Sequence, residues 1–229
     1  MPRRSSDELR EVIRDFRRDQ IIDVARRLFG ERGSTEVAMD EIAARAGVAR
    51  STVYVYFSNR DELLRACLQK MYQQLQSDLE GVRARGSGPD ERLRAVVRGI
   101  LERIDEDPAF MRLAIGLQVT GGRPGAEAID AELAHIGLDM AGVLEELVSE
   151  GVERGLFEET DPMRAASLIG QQVFGAMAVR AGDPSPPPLD VAVGEICDFV
   201  RCGLGAPVPV ELSSANIGSE RSRVGQPGS

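Results

Sequence analysis

The sequence predicts an all-helical protein with a small N-terminal head and a larger C-terminal body. Apolar residues recur at helical spacing along most of the 229 residues, whereas strand-like alternation is rare. Segments rich in glycine and proline divide this pattern into pieces of helix length. Residues 39–57 have the spacing of a helix-turn-helix, which places such a unit in the head.

The first helix is predicted to end near Arg32, because glycine, here Gly33, often terminates helices. Its apolar stripe consists of Ile21, Val24, Ala25 and Leu28. A second stripe precedes it and consists of Leu9, Val12, Ile13 and Phe16. Residues 1–16 are therefore either an extension of the helix or a separate arm, and the pattern leaves both open.

The next two helices are predicted to form the helix-turn-helix. Residues 39–46 are apolar-periodic and end at Gly47, which can adopt the positive backbone angle of a tight turn. Ala43 allows a close helix crossing, and Val48 and Val53 fill the angle between the two helices. Residues 49–57 are β-branched and aromatic enough for a strand, but a helix end before them and a helix cap after them favour a helix.

A helix over residues 49–57 turns Val53 and Phe57 inward and leaves a polar and aromatic face outward. That face consists of Arg50, Ser51, Thr52, Tyr54, Val55 and Tyr56. Exposed tyrosines do not help folding, whereas in a DNA major groove hydroxyl groups and arginine reach phosphates or base edges, and valine can contact a thymine methyl group. The alternative is that one tyrosine is half-buried in the core of the head.

A long helix is predicted at about residues 59–85, with Ser58 and Asn59 as caps and acidic residues in its first turn. Five helices follow, at about residues 90–105, 108–120, 125–154, 161–181 and 188–203. Residues 206–229 are rich in glycine, proline and serine and are predicted to be a disordered tail.

The net charge of −9 is unevenly distributed. Residues 1–60 contain 12 arginines and 10 acidic residues, so the acidic excess lies in the body. A polyanion would therefore meet the head, although surface charge arranged for solubility explains the pattern equally well. No apolar run of membrane-spanning length and no signal peptide are found, which predicts a cytoplasmic protein without a membrane partner.

The residues that catalysis and metal binding need are scarce. His135 is the only histidine, which rules out a site with several histidines and leaves one residue for a Ser-His-Asp triad, and a lone histidine is more often a packed or surface residue than a catalyst. Cys67, Cys197 and Cys202 are odd in number and poorly spaced for a disulfide framework or a metal site, and we interpret them as reduced thiols. We therefore expect no enzyme activity, no catalytic residue, no metal and no cofactor.

The body helices carry apolar faces with a few polar residues. These faces form either an ordinary core or a pocket for a small hydrophobic or amphipathic molecule, to which methionines would adapt. The candidate pocket residues are Phe110, Met111, Ile115, Gln118, Met140, Gln171 and Phe174. Small and branched residues on the last two helices fit either packing within one subunit or a four-helix dimer interface. The candidate dimer residues are Leu168, Ile169, Val173, Ile196 and Val200.

The head resembles the N-terminal DNA-binding domain of the TetR (tetracycline-repressor) family over about 45 residues. The matching segments are residues 21–33 (IIDVARRLFGERG), 39–43 (MDEIA), 46–48 (AGV), 51–57 (STVYVYF) and 59–64 (NRDELL). The rest of the chain resembles the family only in helix number, helix lengths and the long connecting helix.

The resemblance implies a homodimeric repressor that binds a palindromic double-stranded operator and releases it when a small-molecule effector binds. The expected parts of the chain are an N-terminal arm or helix extension (1–16), a helix-turn-helix DNA-binding domain (17–64), an effector-binding and dimerisation domain (65–205) and the tail (206–229). The DNA contacts that the resemblance implies come from Thr52, Tyr54 and Tyr56. Asn59 begins the long helix, and Arg60, where the family usually has lysine, would hold a phosphate.

Two residues depart from the family pattern. Ala38 stands where a threonine often caps the second helix, which loses about 1 kcal/mol, and we expect Thr35 to offset part of this loss. Ser51 replaces a common glycine, which would change base contacts. Two other functions stay open: a helical carrier or enzyme for a hydrophobic small molecule with no DNA role, and an interaction scaffold without DNA affinity.

Overall fold

The computed structural model describes residues 6–84, 88–121 and 127–205. The secondary structure of these residues is entirely helical, which confirms the predicted fold class. The predicted disordered tail, residues 206–229, lies outside the described residues. The helices are α1 (Ser6–Arg32), α2 (Met39–Ala46), α3 (Arg50–Tyr56), α4 (Arg60–Ala84), α5 (Pro89–Glu106), α6 (Pro108–Thr120), α7 (Glu127–Glu153), α8 (Pro162–Gly182) and α9 (Leu189–Gly203).

Two open questions from the sequence are settled in the head. Helix α1 runs without a break from Ser6 to Arg32, so residues 6–16 extend the helix and are not a separate arm. Residues 50–56 are helical despite their β-branched and aromatic composition. Gly33 and Gly47 follow α1 and α2 with φ angles of 84° and 67°, the left-handed conformation that favours glycine.

The buried apolar residues form two clusters. The head cluster combines residues of α1 to α4 with Phe110, Ala114 and Leu117 of α6 and with Ile129 and Leu133 of α7. The body cluster combines residues of α5 to α9, including Met111 of α6. Helix α6 therefore contributes to both clusters, and a domain boundary at residue 64 stays a prediction.

Helix α6 begins in direct contact with α1. A β-carbon added at Gly30 of α1 would lie 2.6 Å from the backbone nitrogen of Phe110. Asp107 caps α6 by accepting a hydrogen bond from this same nitrogen at 3.1 Å. Its carboxylate also lies 3.1 Å from Nε of Arg26. A glycine, a cap and an ion pair thus hold the start of α6 on the surface of α1.

Side-chain bonds also join the long helix α4 to its neighbours. Nζ of Lys70 donates to Asp23 of α1 at 2.9 Å, and Nε2 of Gln69 donates to Glu132 of α7 at 2.8 Å. The hydroxyl group of Tyr72 donates to Asp139 of α7 at 2.9 Å. The middle of helix α4 is therefore bonded both to α1 of the head and to α7.

The expectation of reduced thiols is confirmed, since all three cysteines are free. Cys67 and Cys197 are buried, and burial raises the pKa of the Cys67 thiol to about 12. His135 is exposed, and its Nε2 lies 3.5 Å from Asp139. No helix among the described residues is long and apolar enough to cross a membrane.

We predict that Gly30→Ala destabilises the protein although alanine favours helices. The new methyl group would collide with the backbone of α6, which should lower the free energy of unfolding by about 1–3 kcal/mol. Gly116→Ala on the exposed side of α6 is the control, because a β-carbon there meets no atom within 4 Å. The control should raise stability by about 0.5–1 kcal/mol. Denaturant unfolding measures both values, and equal effects would contradict the close contact.

Candidate functional site

One face of α3 is fixed in the core of the head. Val53 is fully buried and Phe57, which follows the helix, is 2% exposed. The guanidinium carbon of Arg18 lies 5.5 Å from the centroid of the Phe57 ring. Val48, in the turn before α3, packs against the same cluster. The inward positions that the sequence predicted for Val53 and Phe57 are confirmed, and they determine which side chains of α3 point outward.

The opposite face of α3 carries exposed apolar and polar side chains. Tyr54 is exposed, and Val55 is 79% exposed. Arg50 and Ser51 are also exposed, whereas Thr52 is half-buried. This face offers a guanidinium group, hydroxyl groups and a branched apolar side chain to a partner.

Tyr56 differs from its predicted outward position. Its side chain is half-buried and packs against the head cluster, with its ring centroid 6.5 Å from that of Phe57. Tyr56 is the last residue of the short helix α3 and directly precedes the buried Phe57, so its ring lies at the edge of the core. The alternative of one half-buried tyrosine therefore holds for Tyr56 and not for Tyr54.

Arg50 is held near the exposed face by two neighbours. Its Nη1 donates to Asp40 of α2 at 2.9 Å, and its guanidinium carbon lies 5.5 Å from the centroid of the Tyr54 ring. Both members of the ion pair are more than half exposed, so the pair contributes little stability. Arg50 can therefore exchange this carboxylate for a phosphate at small cost.

The start of α2 lacks the expected side-chain cap. No side chain bonds to the free backbone nitrogens beyond Ala38, so the expectation that Thr35 offsets the missing cap is wrong. The carbonyl oxygen of Thr35 instead accepts a hydrogen bond from Nη1 of Arg60 at 2.9 Å. Acidic side chains in the first turn, Asp40 and Glu41, still favour the positive end of the helix dipole.

A reciprocal capping arrangement begins α4. The side-chain oxygen of Asn59 accepts from the backbone nitrogen of Glu62 at 2.8 Å. The Glu62 carboxylate accepts from the hydroxyl group and the backbone nitrogen of Ser58 at 2.6 and 2.7 Å, which lowers its pKa. Asn59 and Arg60 thus fix the start of α4 beside the α1–α2 turn. A DNA contact by either residue stays a prediction.

A cavity of about 640 Å³, lined mainly by apolar residues, lies between α4, α5, α6, α7 and α8. Six of the seven candidate pocket residues lie on its wall. They are Met111, Ile115, Gln118, Met140, Gln171 and Phe174. Effector binding by these residues stays a prediction, but the structure brings them together around one space.

Phe110 is the exception among the candidate pocket residues. It is 1% exposed, belongs to the head cluster and does not line the cavity. Helix α6 is apolar on two faces, so spacing alone could not tell which face meets the head. Phe110 and Leu117 pack into the head cluster, whereas Met111, Ile115 and Gln118 face the cavity; Ala114 belongs to the head cluster and also lines the cavity.

Sequence reasoning missed the contribution of α4 and α5 to the cavity wall. Met71, Tyr72 and Leu75 come from α4, and Val96, Ile100 and Arg103 come from α5. The spacing of Met71 and Leu75, four residues apart, was the available signal for an inward face of α4. Tyr72 and Arg103 gave no signal, because polar residues on a long helix are usually solvated.

The predicted dimer residues are mostly buried within the subunit. Ile169, Val173, Ile196 and Val200 belong to the body cluster, so their assignment to a dimer interface is wrong, and only Leu168 is exposed. Their branched side chains pack α8 and α9 against α5 and α7. The exposed apolar side chains of these two helices are different, namely Met163, Leu168, Val179, Val191 and Phe199.

Comparison with known proteins identifies the head. Residues 21–67 match the family model described as "Bacterial regulatory proteins, tetR family". The HTH-type transcriptional activator FasR of Mycolicibacterium smegmatis is 37% identical over 100 residues, which cover 44% of this chain and 46% of FasR. This chain thus spans less than half the length of that curated relative.

Solved structures resemble the fold over most of the chain. A fatty acid degradation regulator, FadR from Bacillus halodurans, has a TM-score of 0.70 at 24% identity and covers 81% of this chain and 98% of its own. FadR from Bacillus subtilis, solved in complex with stearoyl-CoA, has a TM-score of 0.69 at 23% identity and covers 80% and 97%. The head is thus similar to the DNA-binding segment of the tetR family, and the described part of the chain has the all-helical fold of these solved structures.

Proposed function

We propose that the protein is a ligand-responsive transcriptional repressor. It binds a palindromic operator as a dimer through residues 49–57 and releases the operator when a small hydrophobic or amphipathic effector enters the cavity. One observation carries this proposal: Tyr54 and Val55 point into solvent from a short helix whose other face is fixed in the core. Duplex DNA binding tests it.

The outward face of α3 suits a major groove, which admits one α-helix. Hydroxyl groups of Ser51 and Tyr54 can reach phosphates or base edges, and the Val55 side chain can contact a thymine methyl group. A Val55 side chain that is 79% exposed has no role in the core. These side chains therefore support direct reading of base pairs by α3.

A dimer is required because a palindromic operator has two half-sites. Two recognition helices read successive major grooves when they lie about 34–36 Å apart. The exposed apolar side chains of α8 and α9 support a two-fold contact through these helices. Leu168 and Val179 of α8, with Val191 and Phe199 of α9, are the proposed interface residues.

Release follows from the double role of α6. An effector that displaces Met111 or Ile115 would shift α6, and the contact at Gly30 would pass the shift to α1. Tyr72, on the cavity wall in α4, offers a second route to the head. The dimer has a state in which the two recognition helices fit successive major grooves and a state in which their spacing does not fit. An effector shifts the dimer toward the second state by no more than the difference between its affinities for the two states.

The related structures support the class of effector and not its identity. FadR from Bacillus subtilis was solved with stearoyl-CoA, a molecule with a long apolar chain, and the cavity here is also lined mainly by apolar residues. FasR is named an activator, so a reporter gene behind the selected operator has to measure the direction of regulation. A regulator of this kind acts beside the chromosome, which places the proposed activity in the cytoplasm.

The cavity also suits a second function, a carrier for a hydrophobic molecule without a DNA role. A carrier does not need the exposed face of α3. Binding to a duplex with a steep salt dependence separates the two functions, because a carrier would bind the apolar ligand and ignore DNA.

We predict that Tyr54→Ala weakens operator binding at least tenfold and leaves folding intact. A contact to DNA contributes about 1–3 kcal/mol, whereas truncation of an exposed side chain changes stability little. Leu156→Ala is the matched control, since both side chains are 41% exposed and Leu156 lies in the body. Fluorescence anisotropy with a selected duplex measures the affinities. Equal affinity of both variants would contradict the proposed interface.

We predict that Arg50→Gln lowers the salt dependence of duplex binding. Loss of one phosphate contact reduces the slope of log K against log salt by about one unit. Arg94→Gln, at an exposed arginine of α5, is the control and should leave the slope unchanged. An unchanged slope in Arg50→Gln would mean that the ion pair with Asp40 persists on DNA.

We predict that Val179→Glu converts the dimer into monomers. A carboxylate introduced into the centre of an apolar interface would be buried without a partner. Leu138→Glu on α7 is the control, because Leu138 is 73% exposed and Val179 is 72% exposed. Light scattering after size-exclusion chromatography measures the masses. A dimeric Val179→Glu variant would place the interface elsewhere.

A further inference from the structure

The wall of the 640 Å³ cavity carries almost no available charge. Arg103 is the only formally charged residue among the described side chains that line it. Its Nη1 lies 2.7 Å from a carboxylate oxygen of Glu106, and its Nη2 pairs with Asp78. An anionic ligand would therefore meet a guanidinium group whose charge two carboxylates already balance, and only its buried Nε has no hydrogen-bond partner.

Tyr72 is the other titratable group on the wall, and it stays neutral. Burial, followed by its hydrogen bond to Asp139 and the charge of that carboxylate, raises the pKa of Tyr72 to about 12. The hydroxyl group is oriented by two partners, because it donates to Asp139 at 2.9 Å and accepts from Nε2 of Gln76 at 3.0 Å. The wall thus supplies no negative charge to a cationic ligand.

The mouth of the cavity is polar without being charged. The exposed residues among those that line the cavity are Gln118, Gly137, Ser167 and Gln171. Each carboxamide offers two N–H donors and an acceptor oxygen. Neither Gln118 nor Gln171 forms a side-chain hydrogen bond with another described residue. Farther inside, the wall is buried and apolar at Leu144, Ala166 and Val173.

We propose that the effector has an uncharged polar head group, such as a primary amide, attached to an apolar body. The carboxamides of Gln118 and Gln171 bind this head group at the mouth, and the apolar body fills the cavity. The inference rests on the proposed role of the cavity as the effector site. Its physical basis is that an unpaired charge in an apolar site is costly, whereas a carboxamide pairs well with a neutral donor and acceptor.

A second cleft of about 420 Å³ defines where a cation would go instead. It lies behind Tyr72, Val96 and Met140, which line both spaces. Its wall includes three acidic side chains and one basic one, which are Glu80, Asp139, Glu146 and Arg92. A cationic amphiphile that binds tightly would therefore indicate this acidic cleft, and the inference about the head group would be wrong.

The test compares three ten-carbon amphiphiles that differ only in the head group. Decanamide is neutral, whereas decanoate and decylammonium carry opposite charges at pH 7. Isothermal titration calorimetry on the full chain, below the aggregation limit of each compound, measures the dissociation constants. We expect decanamide to bind at least tenfold more tightly than either ion. Equal or tighter binding of an ion, or no binding by decanamide, overturns the inference.

Variants of the mouth test the two carboxamides. Gln118→Leu combined with Gln171→Leu keeps the size of the side chains and removes their hydrogen bonds, so decanamide should bind about tenfold more weakly. Gln73→Leu is the control, because Gln73 is an exposed glutamine of α4 that lies off the cavity wall. Decanamide affinity that is unchanged in the double variant would contradict the assignment of the head-group site.

A second pair of variants tests the location of the apolar body. A β-carbon at Gly137 or at Gly142 of α7 meets no atom within 4 Å, but only Gly137 lines the 640 Å³ cavity. Gly137→Leu should weaken decanamide binding at least tenfold, whereas Gly142→Leu should not. Equal binding by both variants would overturn the location.

The failure of this inference differs from the failure of the proposed function. If decanamide binds most tightly and the protein ignores every duplex, the preference of the cavity for a neutral head group stands, but the regulator function and the effector role of the ligand are wrong. If amphiphiles release a bound duplex but the charged compounds bind best, the regulator function stands and the head-group inference is wrong.

Discussion

The structure depends on the shared use of α6 by two apolar clusters. One face of the helix fills the core of the head, and the other forms a wall of the large cavity. Its start is fixed on α1, where Gly30 permits backbone contact and Arg26 pairs with Asp107. Because packed interiors resist deformation, we propose that a change in the volume of the cavity contents is passed partly to the head through α6.

The same packing explains how a helix as short as α3 can present a binding surface. A helix of seven residues is not stable alone. Val53 and Phe57 hold it in the head cluster, and Arg60 links the start of α4 to the turn before α2. The exposed face is therefore held in place by contacts on the opposite side of α3 and at the start of α4. Rigid presentation of this kind reduces the entropy that binding would otherwise lose.

The sequence was sufficient for the helices, whose ends depend on local signals such as Gly33, Gly47 and the cap at Asn59. It was also sufficient for six residues of the cavity wall on α6, α7 and α8, because spacing along one helix is local, but it missed the wall residues of α4 and α5. It failed where two faces of one helix are both apolar, which misplaced Phe110, and where branched residues suit either a core or an interface, which misplaced Ile169. The half-buried ring of Tyr56 and the bond from Arg60 to Thr35 depend on tertiary contacts that periodicity does not encode.

Energetic coupling between the cavity and the DNA-binding face is the central claim, and thermodynamic linkage measures it directly. The dissociation constant of decanamide is determined with and without a saturating duplex that the protein has selected from genomic fragments. The structure predicts weaker binding of decanamide in the presence of the duplex, by the same factor by which decanamide weakens duplex binding. Identical dissociation constants under both conditions would contradict coupling through α6.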